Sequence, residues 1–295
     1  MATRSSHRSA RGISAVVALL AIGAAGCSDV SDAVDSAKDG AKKVARQRSV
    51  FSLEVGDCYN PNNKGEGEEV LVEIVPCAEG HTGQVVADFK IDEGSSYPGD
   101  DAISGIADER CPVEAGKFAP DTWALPKGVA IFYYTPTKES WATGDRAVTC
   151  TYNKESGTFT GSLDADAKSF KAEQKTYLTG SNAVYDALWA NQSEKDVEED
   201  LAAYKAQAKA VATALDAHLE GLKGIEGAQV GKLRDQLKKT ATHWKAAANA
   251  ADADAFYIAY DPAFTGIDPN KTVAARKELG LATTVPADEA EVWAA

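Results

Sequence analysis

The sequence predicts an α+β protein: a small disulfide-bonded, mainly antiparallel sheet domain with one helix, followed by an α-helical bundle domain. Three observations predict it. Short runs between residues 51 and 160 alternate apolar and polar side chains, the two-residue period of half-buried strands. Four cysteines, Cys58, Cys77, Cys111 and Cys150, fall inside that same stretch. From residue 165 to residue 262 the chain becomes Ala-rich, with apolar residues at the three- and four-residue spacing of a packed helix.

The chain opens on an address. Residues 1–12 are basic and Ser-rich, and Ile13 to Ala25 are apolar apart from Ser14 and one glycine. Thirteen helical residues rise about 20 Å, too short for a hydrocarbon core of about 30 Å. Residues 1–26 therefore read as a signal peptide. Small residues Ala24, Ala25 and Gly26 precede Cys27 directly, an arrangement similar to a bacterial lipobox with Ala24 where Leu is usual. The expectation is a Cys27 that carries lipid, anchoring the chain to the outer face of the cell membrane.

Charge agrees with a soluble ectodomain. Of 31 basic residues, Arg4, Arg8 and Arg11 lie in the leader, which holds no acid; residues 27–295 then carry 28 basic and 44 acidic residues, a net −16. A polyanion of this size lacks the clustered cations that phosphate binding requires, so nucleic acid is not an expected partner. With Cys27 assigned to lipid, the remaining four cysteines are an even set in an exported chain, and two disulfides are expected. Three pairings are open. Cys58–Cys77 with Cys111–Cys150 is favoured, because the first pair flanks a hairpin and the second joins a helix to the last strand. The spacings contain no CxxC, which argues against zinc.

Residues 27–50 read as a small, polar tether, acidic first and basic at Lys42, Lys43, Arg46 and Arg48. Five strands are expected in the next domain, at residues 51–55, 69–75, 82–91, 128–136 and 145–152. A helix is expected over residues 100–118, where Asp100 and Asp101 suit the electropositive first turn and Pro112 is expected to interrupt. The bundle opens with a helix over 170–189, its middle weakened by Gly180. A second follows over 193–220, with Ser193 as its N-cap and Val197, Leu201, Tyr204, Ala208, Val211, Leu215 and Leu219 as its seam. The third covers 230–249, and a last aromatic turn over 253–260 stops at Asp261-Pro262. Residues 263–295 read as a tail with a helix over 272–279, Gly280 as its C′ residue, and a disordered end beyond Pro286.

Catalytic signals are sparse. No GxSxG, SxxK or HExxH run occurs, and beyond the leader the histidines are His81, His218 and His243. Asp252 and Asp254 alternate as a calcium loop begins, but the central Gly and terminal Glu are missing. No enzyme activity and no cofactor is expected. The competing expectation is a cell-wall hydrolase or transferase, which would need a cleft holding a carboxylate or histidine of shifted pKa.

An ordered set of motifs is more informative. It comprises Gly56-Asp57-Cys58, then Val75-Pro76-Cys77 with His81 four residues on, then Tyr97-Pro98-Gly99-Asp100. It ends with Pro136 through Trp141 to Gly144-Asp145-Arg146 and Cys150. Across residues 51–152 this resembles the septum-formation domain of actinobacterial envelope proteins, departing at Gly80 where proline is common. The resemblance implies a non-catalytic extracytoplasmic module linked to cell division, with envelope or division proteins or a cell-wall polymer as partners. Asp57 and Asp145 are expected to cap turns, and Arg146 to pair with a carboxylate. Core or turn roles are favoured for His81, Tyr133, Tyr134 and Trp141. The competing role for these four is to line a recognition face for glycan or peptide.

Overall fold

A computed structural model describes residues 46–286 apart from 62–70, 93, 165–167 and 191. The leader, Cys27, most of the expected tether and the expected disordered end lie outside the described residues.

The first half is one six-stranded antiparallel sheet. Its strands are β1 (Gln47–Ser49), β2 (Cys58–Pro61), β3 (Leu71–Val75), β4 (Gly83–Lys90), β5 (Val129–Tyr134) and β6 (Ala147–Lys154), in spatial order β1-β3-β2-β4-β6-β5. Two strands differ from expectation. Residues 51–55 do not form one: Val50–Ser52 is a single helical turn capped by the Ser49 hydroxyl, so Val50 and Leu53 face the core together while Phe51 and Val55 stay exposed. The last residues of the expected tether supply β1 instead, paired with β3. β2 hides in the sequence because its four residues start on a Gly-Asp turn and end on Pro61, a run that reads as loop. A bulge between Val85 and Ala87 lets both Val86 and Ala87 meet the α1 core while Val85 faces the other core.

Helix α1 (Asp100–Phe118) lies across one face of β4, β5 and β6. Ile103, Ala107, Cys111 and Ala115 recur every four residues and bury against Val86, Val129, Val148, Cys150 and Tyr152. Pro112 does not interrupt it. The missing hydrogen bond falls on the carbonyl of Asp108, on the exposed side, while the neighbouring Cys111 is pinned to the sheet by its disulfide. A short helix α2 (Lys138–Ala142) precedes β6, closed by a reciprocal Thr137–Ser140 capping pair.

The second half is helical: α3 (Ala172–Trp189), α4 (Leu201–Leu222), α5 (Ala228–Ala248), α6 (Ala253–Gly266) and α7 (Val273–Leu279). The consecutive helices α3 to α6 pack against one another around Tyr177, Leu188, Leu215, Leu233, Trp244 and Phe256. The second helix starts eight residues later than expected. Asp200, not Ser193, is its N-cap, and the Ser193 hydroxyl donates to the Asp200 carboxylate. Gly180 is a fit rather than a weakness, because a Cβ there would overlap the His218 imidazole. Pro262 does not end α6, since the carbonyl it leaves unbonded belongs to Ile258, which is 77% exposed.

The tail is partly a working element. α7 forms over the expected residues and ends on left-handed Gly280. Its Glu278 carboxylate accepts from the backbone N–H groups of Ala228, Gln229 and Val230, capping α5 in place of the side-chain-free Gly227. Its Arg276 reaches back to the sheet half and pairs with Asp121, both side chains about 95% buried. The guanidinium also lies 4.0 Å over the Trp123 ring, and the Ala282 N–H donates to the same carboxylate at 3.0 Å. With the Asn182 amide donating to the Pro120 carbonyl, these contacts join sheet and bundle. Among the described residues, no helix is long and apolar enough to cross a membrane.

Candidate binding cleft

Both disulfides form within the sheet half. Cys58–Cys77 ties the start of β2 to the turn after β3, and Cys111–Cys150 ties α1 to β6. This is the favoured pairing of the sequence.

The four aromatic candidates do not converge on one surface. His81 is fully buried; its Nδ1 lies 2.9 Å from the Glu79 carbonyl and its ring packs edge-on against Phe159. Trp141 is buried in the α1 core, with its indole N–H donating to the Ser95 carbonyl and Tyr97 against its edge. Tyr133 and Tyr134 are neighbours on β5 and so point to opposite faces. The Tyr133 hydroxyl donates to Asp108 of α1, whereas Tyr134 joins Tyr59 on the other face, where Tyr59 donates to Asn153 at 2.7 Å. Gly83 makes that second cluster possible, since a Cβ would overlap the Tyr59 ring.

The turn residues act as frame. Asp57 accepts the Glu54 N–H, and Asp145 accepts from the Ser140 hydroxyl and the Ala147 N–H. Among the described residues Arg146 forms no ion pair with a carboxylate. It donates to the Trp141 and Asp145 carbonyls and stacks 3.6 Å over the Trp141 ring, so it terminates α2 rather than forming an ion pair. Asp252 caps α6 by accepting the Ala255 N–H. Among the described residues no group of three His, Cys, Asp or Glu side chains is placed to hold a metal ion.

Among the described residues a wide concave feature lies elsewhere, away from the four aromatic candidates. A cleft of about 800 Å³ runs between the outward side of α1 and the last turns of α3. Helical periodicity builds both walls. On α1, Gly105, Asp108, Glu109, Pro112 and Val113 share the side opposite the sheet-facing stripe; on α3, Asn182, Asp186 and Trp189 share one side, which Asn182 turns toward the end of α1. The apolar part of its lining comprises Pro112, Val113, Ala187, Trp189 and Ala190, with Trp189 40% exposed. Helical spacing puts Phe170, Tyr177, Val184, Leu188 and Trp189 near one stripe; Leu188 is in the bundle core as that predicts, whereas Trp189 lines the cleft.

The rim is acidic. Asp108, Glu109, Glu114, Asp186 and Glu194 line the cleft against one cation, Arg110, which lies 3.6 Å over the Phe89 ring. Glu114 is engaged by Lys117 at 2.8 Å. Burial pushes the Asp186 carboxyl up to about 6, against the opposing pull of the Lys117 ammonium. A carboxyl desolvated in this way is costly to keep charged. The sequence signal was available: Asp186 and Trp189 sit one turn apart on a helix whose other side fully accounts for the core.

Comparison with known proteins adds one finding. A family model described as septum formation matches residues 27–175, which span the sheet half and the entry to α3. No curated protein and no solved structure matches the chain.

Proposed function

Because this chain belongs to the septum formation family, we propose that it is a lipid-anchored module on the outer face of the cell membrane that serves septum formation by binding rather than by catalysis. The observation that supports export is the pair of disulfides: all four cysteines of the described residues are consumed, leaving Cys27 behind its apolar leader as the one cysteine for a lipid. The binding role draws support from the cleft, whose mixed apolar and charged lining suits recognition. Partners of the module are envelope or division proteins, or a cell-wall polymer.

The test is mass spectrometry of the mature chain joined to imaging of the tagged protein. A Cys27 carrying diacylglyceryl and acyl mass, with signal at the division site lost in Cys27→Ser, is expected. A free Cys27 thiol would overturn the anchor.

One observation favours a second reading, a cell-wall hydrolase or transferase. Asp186, with its pKa near 6, shares the cleft with Asp108, Glu109 and Glu194, and glycoside cleavage uses two carboxyl groups. Release of soluble fragments from purified cell wall, abolished in Asp186→Asn, would favour it over the binding reading.

A further inference from the structure

We propose that the outer edge of β5 pairs antiparallel with β5 of a second copy of this chain, about a twofold axis at Phe132, so that the two sheets run on as one. The pairing goes beyond the role of a single anchored chain and makes no use of the α1–α3 cleft.

The two edges of the sheet are unequal. At one end β1 is three residues long, carries Arg48 and passes directly into the Val50–Ser52 turn. A short, charged edge strand is a poor template for another chain. At the other end β5 runs for six residues, Val129–Tyr134, with no charged side chain, no proline and no shift in its register with β6. Midway along it Phe132 is 48% exposed. The devices that keep a soluble protein's edge strand single are present on β1 and missing on β5.

Backbone direction fixes the register. The Lys154 N–H donates to the Thr82 carbonyl on the β4 side, and the N–H of its β5 neighbour, Val129, turns to the Pro126 carbonyl at 3.1 Å. Along an antiparallel ladder the direction alternates, so Ala130, Phe132 and Tyr134 turn their backbone groups to β6, and Ile131 and Tyr133 turn theirs to the open side. Among the described residues no backbone group outside the sheet bonds to Ile131 or Tyr133. When two β5 strands are centred on Phe132, Ile131 exchanges both backbone bonds with the partner's Tyr133, and the twofold repeats the exchange. A register centred on Ile131 is blocked, because it needs the Val129 N–H that Pro126 already holds. In the open register Phe132 lies opposite its own twin as a close pair, covering a ring that one copy alone leaves exposed. That ring sits edge-on to Tyr134 at 5.3 Å, on the face away from α1, toward which Tyr133 points. Neither strand brings a charge, so identical strands meet without repulsion.

The test is sedimentation of the full chain in density-matched non-ionic detergent, joined to cysteine trapping. A concentration-dependent dimer is expected. Phe132→Cys, made with Cys27→Ser so that no other cysteine is left outside a disulfide, is expected to give a covalent dimer under mild oxidation. Opposite Cβ atoms in such a pair lie about 5 Å apart, within reach of a disulfide. Ala130→Cys in the same background is expected to stay uncoupled, because its twin lies about 13 Å along the strands. Phe132→Lys sets like charges at the axis on a side chain that is already exposed. It is expected to raise the dimer dissociation constant at least tenfold while the dilute chain melts as the parent does. A parent that stays monomeric, equal trapping at residues 130 and 132, or a Phe132→Lys chain that dimerises like the parent would each overturn the pairing. Slow hydrogen exchange at the Ile131 and Tyr133 amides of a monomer would also overturn it, giving the edge an occupant within the chain. A lipidated, septal monomer defeats this pairing alone; a dimer with a free Cys27 thiol defeats only the anchor.

Discussion

The sheet half and the helical half solve the same problem by opposite means. The sheet half has two modest cores, one on each face, and depends on covalent closure: its disulfides span sequence separations of 19 and 39 residues. In the chain-entropy account these are worth about 3 and about 4 kcal/mol. The described bundle holds no cysteine. It relies on one large core and leaves three buried polar atoms, Tyr177 Oη, His218 Nδ1 and Trp244 Nε1, without a hydrogen-bond partner, against one, His81 Nε2, in the sheet half. The lesson is that one half is guarded against dilution of its contacts but exposed to reductant, and the other the reverse.

The sharpest way to break the comparison is reduction. Opening both bridges removes up to about 7 kcal/mol from the sheet half. Hydrogen exchange under a thiol reductant should show β2, β4, β6 and α1 deprotecting while α4 and α5 stay protected. Simultaneous loss in both halves would show that they fold as one cooperative unit.

Next in size is the junction between them. Arg276→Met strands the buried Asp121 carboxylate, at a cost of about 3 to 5 kcal/mol. Adding Asp121→Leu removes the stranded charge and should recover most of the loss, as denaturant midpoints would record. A single variant as stable as the parent would show that Trp123 and the Ala282 N–H suffice without the ion pair.

The smallest effect is acid. Burial holds the His218 imidazole down to about 4, so the folded bundle keeps it neutral while the unfolded chain protonates near 6.5. Stability from this group is complete above pH 6.5 and is lost as pH falls toward 4, on the order of 3 kcal/mol in all. Thermal melts of parent and His218→Phe should converge across that window if the imidazole is responsible, and run parallel if it is not.

Legibility followed the range of the interactions. The cysteine pairing, α1 and the centres of β3 to β6 were readable because local alternation, helical spacing and turn residues all agreed. Residues that join distant parts were not. Pro112 and Pro262 look like breaks until the exposed side of each helix is known. Arg276 sits among ordinary tail charges, and only the fold brings it to Asp121, 155 residues earlier. Similarly, Asp186 and Trp189 belong to a helix whose apolar stripe is satisfied without them, so periodicity assigned Trp189 to the wrong side. His81 and Trp141 occupy the core positions favoured for them, and Tyr133 and Tyr134 point to opposite faces of β5, because motif residues in a small sheet are where packing is tightest.

The place of α7 in the chain has a consequence for biogenesis. Both contacts it supplies, the Glu278 carboxylate on the α5 terminus and Arg276 on Asp121, act on segments made earlier. A polypeptide emerging N-terminus first at about 5 to 20 residues per second leaves Asp121 waiting roughly 10 s or more for its partner. During that interval the buried carboxylate and the bare helix start are open to water and to chaperones. Until α7 is delivered the chain is unlatched, and the arrival of Arg276 and Glu278 sets the moment at which its two halves lock.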